Sequence, residues 1–166
     1  DSAWAAMRIA RCYYNQVSDA FLLPPQETRD QSAVIEAASK INDYVDQYKP
    51  GAEWPEGGPE WAEMKELGAD ARARLVAHEL YIARFYIKKD KLEAALARAT
   101  YAVTTFTGSK RDAEALILQG EIFLMLKRRP EARTSFEIVL SKYASDPRVV
   151  QAKKFLAQMD AEEQGK

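Results

Sequence analysis

The sequence is constrained most by an internal repeat. The segment Ala113 to Asp146 is a 34-residue unit with small and large apolar residues at fixed offsets. Leu116, Gly120 and Phe123 come first, Ala132 and Phe136 follow, and a turn ends near Asp146-Pro147. Gly120 and Ala132 are 12 residues apart, Ala132 and Phe136 are 4 apart. A small residue on one helix lets the next helix approach closely, and the aromatic residues fill the space between adjacent hairpins. Shifted back by 37 residues the pattern returns: Ala83 for Gly120, Tyr86 for Phe123, Ala95 for Ala132 and Ala102 for Val139. Ala99 stands in the place of Phe136, so this copy is degenerate. A third copy has Ala10 and Tyr13 on its first helix and Ala37, Ile41 and Tyr44 on its second. It closes at Tyr48-Lys49-Pro50 and has a long connection, roughly residues 19–28.

These offsets resemble those of tetratricopeptide (TPR) repeats. The expected fold is all-α: TPR-like helical hairpins forming a short right-handed superhelix. The hairpins fall at about 2–48, 68–107 and 110–144, a C-terminal capping helix at about 147–159, and an irregular insertion at about 49–66. One domain spans 1–166. An ordinary helical bundle is the other reading, and regular repeat spacing counts against it.

Apolar residues recur with a period near 3.6 almost throughout, which predicts seven helices. The first runs from Ser2, as N-cap, to Ser18, and the second from Thr28–Asp30 to Tyr48. Phe21-Leu22-Leu23-Pro24-Pro25 breaks the chain between them. The third starts at Glu60 or Gly68 and reaches Lys88. The others are Lys91–Phe106, Arg111–Lys127, Pro130–Tyr143, and a last helix capped by Asp146-Pro147 that ends by Met159, followed by a frayed polar tail. Residues 50–60 hold three Pro and three Gly beside Trp54 and Trp61. One or both Trp side chains are expected to pack on a neighbouring helix, the alternative being a partner-binding loop.

Composition removes several classes of function. The chain carries 24 basic and 25 acidic side chains, a net charge of -1, and offers no global field for nucleic acid. No apolar run approaches the roughly 18 residues that span a bilayer. No signal peptide is visible, and the start at Asp1-Ser2-Ala3-Trp4 without Met reads as a processed or excised fragment. Cys12 is the one cysteine and His78 the one histidine. Cys12 lies in an amphipathic run and is expected at or near the core, and the pair is too far apart in sequence to suggest a catalytic dyad. There is no phosphate loop and no zinc spacing, and no carboxylate pair stands out for acid–base work. No cofactor or metal is expected. Lys127-Arg128-Arg129 with Arg133 makes a basic corner, suited to a solvated helix terminus or to an acidic partner.

Four segments carry a closer resemblance: Arg8-Ile9-Ala10-Arg11-Cys12-Tyr13-Tyr14 with its long loop; Arg29-Asp30-Gln31-Ser32 opening a helix that ends in Tyr48-Lys49-Pro50; Glu79-Leu80-Tyr81-Ile82-Ala83-Arg84-Phe85-Tyr86; and the two closing hairpins with their terminal helix. In this order they are similar to the BamD (ComL/YfiO) lipoproteins of the outer-membrane β-barrel assembly machinery, over nearly the whole chain. The lipidated N-terminal cysteine and the first repeat or two of that family have no counterpart here. Three departures stand out: a longer segment Gly51–Lys65, Gln31 where Pro is common, and Thr107-Gly108 in place of a Tyr-Pro turn.

The resemblance implies a non-catalytic scaffold in the periplasm, at the inner face of the bacterial outer membrane. It implies docking to the periplasmic domains of the barrel-assembly protein, contact with other assembly lipoproteins and unfolded outer-membrane proteins, and a membrane link only through a lipid anchor absent from this chain. Leu92-Glu93-Ala94-Ala95-Leu96-Ala97-Arg98-Ala99 is similar to the family's helix at that contact, and Arg98 matches its arginine by position. The expected partner-binding residues are Arg98, Arg128, Arg129 and Arg133, with a possible groove at Arg8, Arg11 and Tyr14. The alternative is another TPR adaptor or co-chaperone of the cell envelope that binds a peptide or partner domain.

Overall fold

The computed structural model describes residues 2–17 and 25–164. Seven α-helices run through them: α1 (Ser2–Asn15), α2 (Ser32–Gln47), α3 (Trp61–Lys88), α4 (Leu92–Thr105), α5 (Asp112–Met125), α6 (Arg129–Lys142) and α7 (Val149–Gln164). One turn of 3-10 helix, Gln26–Thr28, precedes α2, and no strand occurs among the described residues. The class is the all-helical, TPR-like one that the repeat implies. Neighbouring helices pair in order, α1 with α2, α4 with α5, α5 with α6 and α6 with α7. The chain divides into two compact units. One runs through His78 and includes Gly108–Lys110; the other holds Glu79–Thr107 and the chain from Arg111 on.

In the second unit the 37-residue repeat is written into the backbone. α3 ends in a left-handed residue, Asp90 (φ 56°), and α5 ends in one at Lys127 (φ 62°), 37 positions later. The Lys91 N–H bonds to the Tyr86 carbonyl at 2.9 Å, and the Arg128 N–H to the Phe123 carbonyl at 2.8 Å. Asp90 N–H to Ile87 O, at 2.9 Å, likewise matches Lys127 N–H to Leu124 O, at 3.0 Å. This paired bonding is a Schellman closure, which satisfies carbonyls at the helix end and turns the chain back. Arg128 completes it by placing its guanidinium 4.8 Å over the ring of Phe123.

Between the paired helices the small residues admit their neighbours. Ala83, Ala95, Ala99 and Ala102 are all buried. Gly120 is the extreme case, since a Cβ there would stand 2.5 Å from Cε1 of Phe136. Phe136 is itself stacked on Phe155 of α7, with ring centroids 4.8 Å apart and planes 7° from parallel. A polar chain crosses the same layer. The buried Gln119 donates to Thr100 of α4 at 3.0 Å and accepts from Ser135 of α6 at 3.1 Å. A paired buried amide fixes the register of three helices at once.

α7 repeats α5 once more but turns a different face outward. Leu116 and Phe123, packed within the α5–α6 hairpin, become Lys153 and Asp160, both exposed. That charged outer face makes α7 a cap. It also extends beyond the expected end at Met159. Residues 160–164 are helical rather than frayed, because Arg133 meets Asp160 at 2.7 Å and Arg129 meets Glu162 at 2.7 Å.

In the first unit, α1 buries Ala3, Met7 and Ala10 against α2's Ile41 and Tyr44. Cys12 is exposed, against expectation. Two positions beyond Ala10 is about 200° around a helix, and so lies on the opposite face. Ser2 is already helical, so it is not the expected N-cap, and Asn15 ends the helix; Ser18 and Phe21 to Pro24 of the expected break lie outside the described residues. α2 begins at Ser32, where Asp30 accepts the Ser32 N–H at 3.2 Å and so displaces the start expected at Thr28–Asp30. α3 takes the earlier of its two expected starts. Gly68 lies inside it, and a Cβ there would stand 3.0 Å from Cγ2 of Ile41, which marks the close approach of α2. The Pro- and Gly-rich segment folds back onto α2. Tyr44 donates to the Pro59 carbonyl, the Trp61 indole donates to the Val45 carbonyl at 2.9 Å, and Trp54 packs edge-on to Tyr48 at 6.2 Å. Both Trp residues therefore pack as expected.

Gly120→Ala isolates the close approach. In an ordinary helix interior the change gains about 1 kcal/mol. Here the stacked Phe136 ring cannot withdraw, and a net loss of about 1–3 kcal/mol is expected from urea unfolding. A variant as stable as the parent would show that the ring gives way and that this contact does not hold the hairpin.

Candidate functional site

Among the described residues, no group of three or more His, Cys, Asp or Glu side chains could hold a metal ion. No helix among them is long and apolar enough to cross a membrane. His78 lies within α3, its Nδ1 2.7 Å from the Glu27 carbonyl, which places it in a structural contact. The basic side chains differ in what already holds each of them.

Arg98 projects from α4. Its Nη1 lies 3.3 Å from Oε2 of Glu79, and the Glu79 side chain is only 10% exposed against 45% for Arg98. A nearly buried carboxylate thus braces the guanidinium from one side. One turn further, Tyr101 is 47% exposed, and its ring is fixed edge-on to Phe106 at 5.5 Å.

The terminal basic corner is built otherwise. Arg129 donates to Glu162 at 2.7 Å and to the Met159 carbonyl at 3.1 Å. Arg133 reaches Asp160 at 2.7 Å and Glu163 at 3.4 Å. Arg128 meets Glu131 at 2.9 Å while covering Phe123. These three side chains hold α6 to α7 and close the α5–α6 turn. In the first unit, Arg11 meets Glu60 at 2.6 Å and Glu63 at 2.8 Å. Tyr14 lies under the Arg74 guanidinium at 5.6 Å, and Arg8 is exposed. Arg11 and Tyr14 thus meet different neighbours.

A cleft of about 260 Å³ in the second unit is lined by Arg84, Glu114, Ile117, Leu118, Glu121, Arg148 and Gln151. At its wall Glu114 accepts from three guanidinium groups: Arg84 at 3.0 Å, Arg111 at 3.0 Å and Arg148 at 3.1 Å. Gln151 donates to Glu121 at 3.0 Å. Burial raises the Glu121 carboxyl above its ordinary range, and the charge of Arg84 and the Gln151 hydrogen bond oppose that only in part. The lining offers both hydrogen-bond donors and acceptors. The spacing signal for the cleft was present: Arg84 and Glu121, Arg111 and Arg148, and Glu114 and Gln151 are each 37 residues apart. Reading the polar positions in repeat register, and not only the apolar ones, finds it.

The raised Glu121 carboxyl has a consequence for stability. The folded chain keeps this proton at a pH where the unfolded chain has lost it, so ionisation costs stability as pH rises above about 4.5. Glu121→Gln is expected to be more stable than the parent at pH 7, with the difference shrinking as pH falls to 4. Urea unfolding across that range reads it; a gap that widens toward acid would mean the carboxylate is stabilising as an ion.

Comparison with protein families gives one finding. The family model described as YfiO, outer membrane lipoprotein, matches residues 3–139, from the start of α1 to Val139 of α6. Comparison with curated proteins finds no match.

Proposed function

Because the chain belongs to the YfiO family of outer membrane lipoproteins, BamD-like and non-enzymatic accessories of outer-membrane assembly, we propose that it is a binding scaffold that docks the periplasmic domains of the barrel-assembly protein through α4. Its place is then the periplasmic side of the outer membrane. The observation that carries this reading is Arg98. One Nη bonds Glu79, and the other donors of this half-exposed fork have no partner among the described residues. A planar fork with free donors takes a carboxylate by two hydrogen bonds, and a half-exposed tyrosine beside it adds a rigid apolar contact. Arg128, Arg129 and Arg133 act as partner residues only at the rim, since their guanidinium groups are held within the chain. The polar cleft beside Glu114 suits transient hydrogen bonding of extended outer-membrane protein segments. No step of turnover is required of either surface.

The test is binding of the purified chain to the periplasmic domains of its cognate barrel-assembly protein. Arg98→Glu is expected to weaken binding at least tenfold, about 1.4 kcal/mol, with helicity unchanged by circular dichroism. A folded parent chain that does not bind would instead favour another envelope adaptor of the same fold.

A further inference from the structure

We propose that the outer face of the second half of α3, formed by Tyr81, Phe85, Lys88 and Lys89, docks an acidic amphipathic α-helix from a partner protein. Tyr81 and Phe85 stand 37 positions before Leu118 and Ile122 of α5, and those stand 37 before Phe155 and Met159 of α7. In α5 the pair is 5% and 0% exposed. Gln119, next to Leu118, donates to Thr100 of α4 and accepts from Ser135 of α6, so this stretch of α5 lies among other helices. In α7 the pair packs into the cluster that holds Phe136 and Val139 of α6. At this position of the repeat, then, α5 buries a large apolar pair and α7 packs one against the second helix of the preceding hairpin.

α3 carries aromatic residues at the same two positions and leaves them in solvent, Tyr81 at 46% and Phe85 at 49%. Single exposed apolar residues are common on protein surfaces. Two aromatics one turn apart, in a register where α5 and α7 are each covered by a helix, describe a seat for a helix. Phe85 is also pre-positioned, lying edge-on to Tyr86 at 5.8 Å.

Charge specifies the occupant further. The strip continues into Lys88 and Lys89, both exposed, with the Lys89 ammonium 5.8 Å from the Phe85 ring centre. Lys91 follows in the turn, and Asp90 is the one acid among these four residues. The end of the strip is therefore positive. A fitting helix presents an aliphatic strip at i, i+4 and i+7 and carries Glu or Asp where it meets the lysines.

This surface is separate from Arg98, so the two readings fail separately. The probes are two fluorescein-labelled helical peptides with the same Leu strip, one flanked by Glu and one by Lys. Anisotropy with the full chain is expected to show the acidic peptide binding at least tenfold more tightly than the basic one. Tyr81→Ala with Phe85→Ala should weaken it at least tenfold. Lys88→Glu with Lys89→Glu should reverse the preference between the peptides, and Arg98→Glu should leave both unchanged. Circular dichroism confirms folding, and Ile9→Ala, a half-exposed apolar residue of the first unit, serves as the control. Absence of binding, equal binding of both peptides, or binding that survives the aromatic substitutions overturns the proposal. So does self-association of the parent chain, seen by sedimentation and lost in the Tyr81/Phe85 variant, which would give the seat to a second copy.

Discussion

The contact on which the second unit depends is the approach of Phe136 to Gly120. With no Cβ on Gly120, α6 can lie against α5 closely enough for the ring to touch the helix backbone, and the same ring then stacks on Phe155. One side chain therefore joins three helices. The remaining features follow from that spacing. Gln119, next to Gly120, is brought within reach of Ser135 on one side and Thr100 on the other. The turn between α5 and α6 must close tightly, and Lys127 accepts a positive φ to let it. A left-handed conformation costs a non-glycine residue roughly 1 kcal/mol, which the two bonds of the Schellman closure and the Arg128–Phe123 contact offset.

The degenerate copy shows how the same geometry survives without the aromatic. Ala99 occupies the place of Phe136 and is completely buried, as are Ala83 and Ala95. Three small residues at these positions leave no bulky side chain between the two helices. The end of α3 keeps the same bonding as the end of α5, so the fold is preserved by turn geometry where the side chains have drifted.

The repeat was legible in the sequence because small and large residues recur at offsets that only helix packing requires. The fates of Cys12 and of the last turn of α7 were not. Cys12 sits in an amphipathic run, but the run's core stripe passes through Ala3, Met7 and Ala10 and misses it by half a turn. The last turn of α7 is polar, and local pattern alone reads it as frayed. It is helical because two arginines about 30 residues earlier reach across to it, a long-range pairing that no window of the sequence contains. The Pro- and Gly-rich segment gave away only that its Trp residues needed cover; Gly58 supplied the means, since any side chain there would strike Tyr44 and Tyr48.

The same long-range pairing separates the arginines by what already holds them. From sequence, Arg128, Arg129 and Arg133 form the densest basic cluster in the chain, and Arg98 is a lone charge among alanines. In the structure the order inverts. Arg129 and Arg133 bond acids of α7, and a partner carboxylate would have to displace Asp160, Glu162 or Glu163 to reach them. Exposed ion pairs of this kind are each worth about 0–1 kcal/mol, so displacement is feasible but leaves little net gain. Arg98 meets one acid of its own chain, Glu79, at 3.3 Å. Glu79 is nearly buried and orients the fork while spending one of its donors, so a carboxylate arriving from outside meets a guanidinium already in position. The family match ends at Val139, before α7 begins, and so covers Arg98 while leaving out the helix that occupies the other two arginines. A binding surface in a helical repeat is thus set less by how much charge a face carries than by how much of it the next helix has left free.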